Sequence, residues 1–385
     1  MRQNETAPVI DRAFCEEAIQ FVLSQIDRNM PTFVDTFPSP ASVGNKYEEW
    51  ANVEWTPGFW TGMLWLAYEV TGDDKYRLAA EHQLASYKNR VQNRIHTNHH
   101  DLGFLYTLSC VSAYRLTGNE EAKETALHAA DLLMERYWEQ AGIIQAWGDL
   151  NNPNERGRMI IDCCMNLPLL YWASEITGDD KYFRAADSHV RQSAAYLIRE
   201  DDSSYHTFYM DVETGEPRFG KTAQGFSDDS CWSRGQAWAL YGFPLSYKYS
   251  RRAELIEVGQ RTANYLLDRL PEDDVCYWDL TFTSGNEEER DSSAASIAAC
   301  GLLELAKHLP LSNPNRSRYE QAALRMTKSL AEGYTAKSDP GSNGILLHAV
   351  YSKPHRNGVD ECCIWGDYFY FEALVRMTRD WELYW

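Results

Sequence analysis

Helical segments that are apolar on nearly every side alternate along the chain with charged segments that have one apolar face. Residues 61–70, 103–116 and 166–176 belong to the first kind, and residues 76–89 and 182–199 to the second. A helix that is apolar all round is typical of a buried position, and a helix with one apolar stripe covers such a core. The pattern therefore predicts two layers of helices, buried and half-buried in alternation.

A recurring turn separates the helices of each pair. Thr-Gly followed by Asp or Asn stands at residues 71–73, 117–119 and 177–179, with weaker breaks at 249–252 and 311–314. Glycine adopts the left-handed conformation that ends a helix, and Asp or Asn caps the next one. A first helix at about residues 11–28 and a last one at 368–378 complete six inner and six outer helices. We predict an all-α fold, a six-hairpin α/α toroid, as one domain over residues 1–385.

Long connections lead from the outer helices to the next inner ones. They cover residues 139–158, 200–230, 271–291 and 339–361, and they contain Trp, Tyr, His and Gly. Long loops of this kind are usually functional, so we expect them to gather over one mouth of the barrel. Residues 202–211 alternate as a strand does and predict a small hairpin with residues 217–219 on that rim.

Composition limits which classes of partner the protein can bind and in which cellular compartment it is expected. A net charge of −19 argues against nucleic acid or an anionic membrane as a partner, since both attract basic surfaces. The chain has no apolar stretch of about 18 residues, and residues 1–6 lack the apolar run of a secretory signal. Nine cysteines without a CxxC spacing favour reduced thiols and a cytoplasmic protein, with no metal site expected.

Polar and aromatic clusters introduce the predicted inner helices. If all six inner helices run the same way, these clusters converge at one end of the barrel and line a pocket. An acid flanked by Ile, Cys, Met and Phe is expensive to bury as a charge unless it pairs, is protonated or lines a cleft. This argument selects Asp101 and Asp162. The clusters comprise Trp55, His100 with Asp101, Asp162, Trp232 with Arg234 and Trp238, Asp291, and Asp367.

The acids and the arginine each have a structural alternative. Asp291 and Asp367 are interpreted as helix N-caps, and capping stays open for Asp101 and Asp162. Arg234 fits an internal ion pair as well as a planar fork for a substrate carboxylate. Two carboxylates in an aromatic pocket, one protonated and one ionised, are typical of glycosidases.

Several blocks between about Lys46 and the C-terminus resemble the unsaturated glucuronyl hydrolase family. Their order along the chain makes them more specific than any single motif. They are Trp55-Thr56-x-Gly58-Phe59-Trp60, His99-His100-Asp101-x-Gly103-Phe104, Gly142-Ile143-Ile144-Gln145-Ala146-Trp147, Ile160-Ile161-Asp162-Cys163, Ser203-Ser204-Tyr205-His206, Trp232-x-Arg234-Gly235-Gln236-Ala237-Trp238 and Trp365-Gly366-Asp367-Tyr368.

The resemblance implies a hydrolase that releases 4,5-unsaturated glucuronic acid from the non-reducing end of glycosaminoglycan-type oligosaccharides. It implies hydration of the vinyl ether double bond, without metal or cofactor. In this reaction Asp162 protonates C4 and activates water, and Asp101 is its essential partner. Implied substrate contacts are Trp55, His100, Trp147, His206, Gln224, Trp232, Arg234, Trp238 and Ser352.

One block departs from the family pattern. Family members that prefer sulfated fragments carry Ser-x-x-Ser-x-Lys, whereas residues 352–357 read Ser-Lys-Pro-His-Arg-Asn, so sulfate contacts are implied only for Ser352. An unsaturated rhamnogalacturonyl hydrolase acting on pectin fragments shares the barrel and the two acids. A non-catalytic sugar-binding protein does not need two buried acids, and a sugar epimerase would use histidine pairs. The sequence leaves the oligomeric state open.

Overall fold

The Thr-Gly turns end three helices as predicted. Gly72, Gly118 and Gly178 adopt left-handed φ angles of 70°, 71° and 73°. The residue after each glycine, which is Asp73, Asn119 or Asp179, then caps the next helix by accepting a backbone N–H bond. These turns appear in a computed structural model that describes residues 10–385. The N-terminal segment, for which no secretory signal is expected, lies outside the described residues.

Residues 10–385 form twelve helices, two of which contain a π-helical turn. A 3-10 helix over Ile161–Met165 leads into the sixth. The helices are α1 Arg12–Asn29, α2 Pro57–Thr71, α3 Asp74–Gln92, α4 Leu102–Tyr106 continued by the π turn Thr107–Val111 and by Ser112–Thr117, α5 Glu120–Met134, α6 Leu167–Thr177, α7 Asp180–Gln192 continued by the π turn Ser193–Leu197, α8 Ser233–Ser250, α9 Ala253–Leu267, α10 Ser292–His308, α11 Pro314–Gly333 and α12 Ile364–Thr378.

The even-numbered helices form a closed ring of neighbours. Each of α2, α4, α6, α8, α10 and α12 contacts the next, and α12 contacts α2. Their residues are largely buried, as expected for helices that are apolar on all sides. The odd-numbered helices pack outside this ring, so α3 covers α2 and α11 covers α10. No helix within residues 10–385 has the length and apolar character needed to cross a bilayer.

The connections carry nine short strands. The predicted hairpin at 202–211 forms as β6 and β7, but it is shorter than expected and gains a third antiparallel strand, β5, from the connection before α6. The strands are β1 Phe37–Pro38, β2 Glu49–Trp50, β3 Tyr137–Trp138, β4 Ile143–Ile144, β5 Arg158–Ile160, β6 Thr207–Met210, β7 Pro217–Lys221, β8 Ala349–Ser352 and β9 Asn357–Glu361. Pairing between β5 and β6 joins two of the long loops.

Of the two predicted N-caps, one is confirmed and one is wrong. Asp291 caps α10, because its carboxylate accepts the N–H groups of Ser293 and Ala294. Asp367 does not cap α12, because this helix begins at Ile364, four residues earlier than predicted, and Cys363 takes the N-cap position. The Asp367 carboxylate instead accepts the N–H groups of residues 345 and 346 and the Tyr47 hydroxyl, so it fastens a loop to the helix.

Candidate active site

The first turns of the inner helices meet at one end of the ring. The Trp55 ring lies 4.9 Å from that of Trp365 at the start of α12, and 5.5 Å from that of Phe104 in α4. Phe104 N–H donates to Asn166 Oδ1 at 2.7 Å, which joins the starts of α4 and α6. The polar clusters that the sequence places before separate helices are therefore neighbours in the fold.

Asp101 stands just before α4 and makes no capping hydrogen bond with its side chain. His100 Nε2 lies 3.2 Å from one carboxylate oxygen, and His99 Nδ1 lies 3.5 Å from the other. Burial alone would raise the pKa of Asp101, but His100, His99 and the Asn166 amide outweigh it and hold this pKa below its ordinary value. Asp101 is therefore ionised at neutral pH, and 17% of its side chain stays exposed.

Asp162 lies in the 3-10 turn before α6 and is only partly exposed. Among the described residues, its buried Oδ1 has no hydrogen-bond partner. Burial, together with the negative charge of Asp101, raises the pKa of Asp162 to about 7, and Arg234 opposes this shift. The two acids thus have opposite tendencies, since Asp162 retains a proton near neutral pH while Asp101 is ionised.

Two buried histidines lie at the site, and hydrogen bonds define the tautomer of one of them, His206. Thr207 Oγ1 lies 2.6 Å from His206 Nδ1, and the Ala223 N–H donates to the same nitrogen, so the proton belongs on Nε2. His206 Nε2 and His100 Nδ1 have no partners within residues 10–385. Burial lowers the pKa of His100 to about 4 and that of His206 to about 3, so both rings are neutral at pH 7. His206 Nε2–H is then a free donor for a ligand.

Arg234 is almost fully buried, and its terminal N–H groups are already engaged. It donates to the carbonyl of Val350 at 2.5 Å, to that of Tyr351 at 2.7 Å and to Gln224 Oε1 at 2.8 Å, and it lies 3.4 Å from Asp291 Oδ2. Arg234 therefore has the internal ion pair that the sequence left open, and its other terminal nitrogen faces Gln224. A bidentate clamp on a substrate would require these protein bonds to break. In this structure Arg234 therefore holds the Gln224 side chain and the backbone of β8 in place.

The four predicted tryptophans have different surroundings. Trp147 is 38% exposed, with the Arg158 guanidinium 5.0 Å from its ring centroid. Trp232 is nearly buried between His206, at 5.0 Å, and Arg234, at 4.4 Å. Trp55 is partly exposed at the start of α2, whereas Trp238 is fully buried one turn below Arg234. Trp147 and Trp55 can therefore meet a ligand directly, and Trp238 supports the site from beneath.

The loop between β8 and β9 carries the remaining predicted contact. Ser352 Oγ lies 2.7 Å from His355 Nδ1, so its hydroxyl already has a partner. Lys353 forms ion pairs with Glu288 and Glu289. Arg356 lies on the exposed turn of this hairpin. Ser352, the predicted contact, and its neighbour Lys353 are thus both engaged within the protein.

Two residues near the acids were missed by reasoning from the sequence. Tyr351 accepts the Trp55 Nε1–H at 3.0 Å, although strand β8 gave no signal of its own in the sequence. Asn166 touches both acid segments, yet it was predicted only as the first residue of an apolar helix. Its polarity at the start of an otherwise apolar segment was the available signal.

No group of three or more metal-ligating side chains within residues 10–385 is arranged to hold an ion.

Comparison with known proteins identifies the family. Residues 25–382 match the sequence profile of Glycosyl Hydrolase Family 88. The chain belongs to Glycosyl Hydrolase Family 88. It is 48% identical over 378 residues to the unsaturated chondroitin disaccharide hydrolase of Streptococcus pneumoniae, covering 98% of this chain and 95% of that one. It is 45% identical over 370 residues to the unsaturated glucuronyl hydrolase of Bacillus sp. strain GL1, covering 96% and 98% respectively.

Solved structures of Family 88 agree with this assignment. The crystal structure of unsaturated glucuronyl hydrolase from Streptococcus agalactiae superposes with a TM-score of 0.96 at 48% identity, over 98% of this chain and 95% of that one. The predicted resemblance to unsaturated glucuronyl hydrolases is confirmed, and the chain is a glycoside hydrolase. Its mostly helical fold is shared with these relatives.

Proposed function

We propose that this Family 88 enzyme removes the 4,5-unsaturated glucuronyl residue from the non-reducing end of glycosaminoglycan-type disaccharides by hydrating its double bond. The observation that carries the proposal is a pair of acids in contrasting surroundings. Oδ1 of Asp162 is buried without a partner among residues 10–385, whereas Asp101 lies beside His99 and His100, so the pKa of Asp162 is raised and that of Asp101 is lowered. Such a pair can donate a proton and stabilise the cation that results. The relatives named for unsaturated chondroitin disaccharide or glucuronyl hydrolysis support the choice of substrate.

The proposed reaction starts at the double bond of the substrate. Asp162 gives its proton to C4, which leaves an oxocarbenium ion shared by C5 and the ring oxygen. Water adds at C5 and returns a proton to Asp162, so a hemiketal forms. The hemiketal opens by breaking the bond between C5 and the ring oxygen, leaving a ketone at C5 and a hemiacetal at C1. The hemiacetal then expels the neighbouring sugar as an alcohol, and the net change is the addition of one water molecule.

The other site residues hold the substrate in this scheme. The ionised Asp101 stabilises the positive charge that develops on the ring. His206 Nε2–H and the Gln224 amide offer neutral donors to the uronate, and His100 Nε2 lies 3.2 Å from the Asp101 carboxylate. Trp147 and Trp55 provide apolar faces against which the sugars pack. No residue of this scheme requires a metal or cofactor.

Incubation with unsaturated disaccharides tests the proposed function. We expect loss of the double-bond absorbance, together with release of the second sugar, on disaccharides produced from chondroitin or hyaluronan. Preference for unsaturated rhamnogalacturonyl disaccharides from pectin would instead identify the pectin enzyme considered from the sequence. Binding without turnover of any of these compounds would indicate a sugar-binding protein and would overturn the proposal.

Activity should decrease on the alkaline side of neutrality. Asp162 is protonated below its pKa of about 7, and it acts as an acid only in that form. Asp101 is ionised above its own lowered pKa, so both groups are in the working state at mildly acidic to neutral pH. We expect kcat/KM to fall about tenfold per pH unit well above pH 7. A profile that rises with pH through this range would show that Asp162 works as a base.

Unsulfated disaccharides should be cleaved at least as well as 6-sulfated ones. Lys353 is paired with Glu288 and Glu289, and Ser352 with His355, so neither is free for a sulfate. Rates on the two chondroitin disaccharides decide the matter. A preference above about tenfold for the sulfated compound, roughly 1.4 kcal/mol, would show that this loop binds sulfate. Glu289→Gln, which removes the charge of the closer of its two partners, should shift the ratio toward the sulfated substrate.

The arrangement of the helices and the cellular location complete the proposal. The closed ring of buried helices, covered by the odd-numbered helices, supports the six-hairpin α/α toroid.

All nine cysteines are buried and free, which favours a reducing compartment, and we place the enzyme in the cytoplasm. There it would act on lyase-generated unsaturated oligosaccharides.

A further inference from the structure

Asn166 is a buried amide that contacts both acid segments of the site. It lies between the 3-10 turn that carries Asp162 and helix α6, and its side chain is inaccessible to solvent. Its Nδ2 lies 3.4 Å from Asp101 Oδ1 and 3.3 Å from the carbonyl oxygen of Asp162. Its Oδ1 accepts the Phe104 N–H at 2.7 Å. One side chain therefore connects the two acids and the first turn of α4.

The orientation of this amide is determined by its partners. An amide presents one acceptor and two donor hydrogens, and here each meets a group of the opposite kind. A flipped amide would place its oxygen against the Asp101 carboxylate and its hydrogens against the Phe104 N–H, so it would lose all three contacts. Asn166 is therefore a fixed hydrogen-bond donor to the ionised acid.

The backbone around Asn166 is shaped to allow this contact. A Cβ atom on Gly103 would lie 2.3 Å from Asn166 Cα and 2.5 Å from its carbonyl oxygen, so α4 and α6 approach this closely only because residue 103 is glycine. Gly103 lies two residues after Asp101. The same close approach brings the Asn166 amide within reach of the Asp101 carboxylate.

We propose that Asn166 is a positioning residue that keeps Asp101 ionised and fixes the backbone of Asp162. This inference rests on the proposed function, since it assigns a role within that reaction. A hydrogen bond donated to a carboxylate stabilises the charged form. Without this hydrogen bond the pKa of Asp101 is higher. The pH range in which Asp101 is ionised while Asp162 is protonated therefore becomes narrower at its acidic end.

The pH dependence of two variants tests the proposal. Asn166→Ala removes the donor, so we expect lower kcat with little change in KM and an acidic limb displaced to higher pH by about one unit. Asn166→Asp keeps the shape and the acceptor for Phe104 but adds a carboxylate beside Asp101. Because a nearby negative charge raises the pKa of both acids, both limbs should move to higher pH.

Gln83→Glu is the matched control for these variants. Gln83, on helix α3, is also a buried amide away from the acids. It donates to the carbonyl of Phe33 and accepts a hydrogen bond from the hydroxyl of Thr61 on α2. We expect it to lower the melting temperature without displacing either limb. Wild-type limbs in both Asn166 variants, with activity lost only in proportion to folded protein, would overturn the proposal.

A measurement without substrate separates this inference from the proposed function. The carboxyl carbon of Asp101 can be titrated by carbon-13 NMR and assigned by the signal that disappears in Asp101→Asn. We expect its pKa to be higher in Asn166→Ala than in wild type. An unchanged pKa refutes the role of Asn166 even if the enzyme is active. A wild-type protein without turnover refutes the proposed function while this titration still decides the role of Asn166.

Discussion

Replacing Asp162 by Asn should reduce turnover by roughly 100- to 10,000-fold, the usual contribution of a general acid. The amide has nearly the same shape as the protonated carboxyl that the buried site favours, so the fold should be retained. Because burial penalises the ionised acid, the variant should be no less stable than wild type at alkaline pH, where wild-type Asp162 must carry its charge. Steady-state rates on an unsaturated chondroitin disaccharide, with thermal unfolding at pH 6 and pH 9, measure both effects.

Asp367→Asn is the control for this experiment. Burial raises the pKa of Asp367 to about 7 as well, but its carboxylate binds Tyr47 and a loop backbone instead of facing the other acid. We expect Asp367→Asn to lower stability and to leave turnover near that of wild type. A folded Asp162→Asn variant with normal turnover would falsify the role of Asp162 as the proton donor.

Replacing Asp101 by Asn should lower kcat by roughly 100- to 1,000-fold, since it removes the negative charge that stabilises the cationic intermediate. This substitution has a second consequence. The charge of Asp101 helps to raise the pKa of Asp162, so without it the pKa of Asp162 decreases and the alkaline limb of the profile moves to lower pH. The residual activity of the variant should show this displacement.

The two variants together separate the roles of the acids. Asp162→Asn should abolish the alkaline limb, because the group that titrates there is gone, whereas Asp101→Asn should only displace it. If Asp101→Asn abolished this limb and Asp162→Asn displaced it, the roles would have to be exchanged. Thermal unfolding of both proteins shows whether a loss of activity reflects a loss of folded enzyme.

Local signals were sufficient to predict most helices. The turns at Gly72, Gly118 and Gly178 carry both the residue that ends one helix and the residue that caps the next, so the prediction needed no distant contact. Strand β5 was missed because it forms only by pairing with β6, which lies about 50 residues further along the chain. The start of α12 was placed too late, because Asp367 looks like a cap while its acceptor atoms serve a distant loop.

The residue types of the candidate site were accessible from the sequence, but their partners were not. Asp101 and Asp162 stood out because acids among apolar side chains need an explanation. His99 and His100 favour the ionised form of Asp101, whereas no group within residues 10–385 forms a hydrogen bond with Oδ1 of Asp162, and both facts follow only from the packing of α4 against α6. Asn166 was missed for the same reason. Two of its hydrogen bonds join it to residues more than 60 positions away, and the third depends on the 3-10 turn before α6.

Deuterium incorporation tests the central claim most directly, because Asp162 would deliver the new hydrogen to one face of C4, whereas a sugar released with its double bond intact takes up hydrogen at C4 only afterwards, by tautomerisation in solution on either face. The wild-type enzyme is incubated with an unsaturated chondroitin disaccharide in D₂O, and the product is examined by NMR with a correction for exchange of the isolated product. The proposed reaction predicts one deuteron at C4 for each sugar released, in a single configuration. Deuterium at C4 in both configurations, which is expected if the sugar leaves with its double bond intact and then tautomerises in solution, would contradict it.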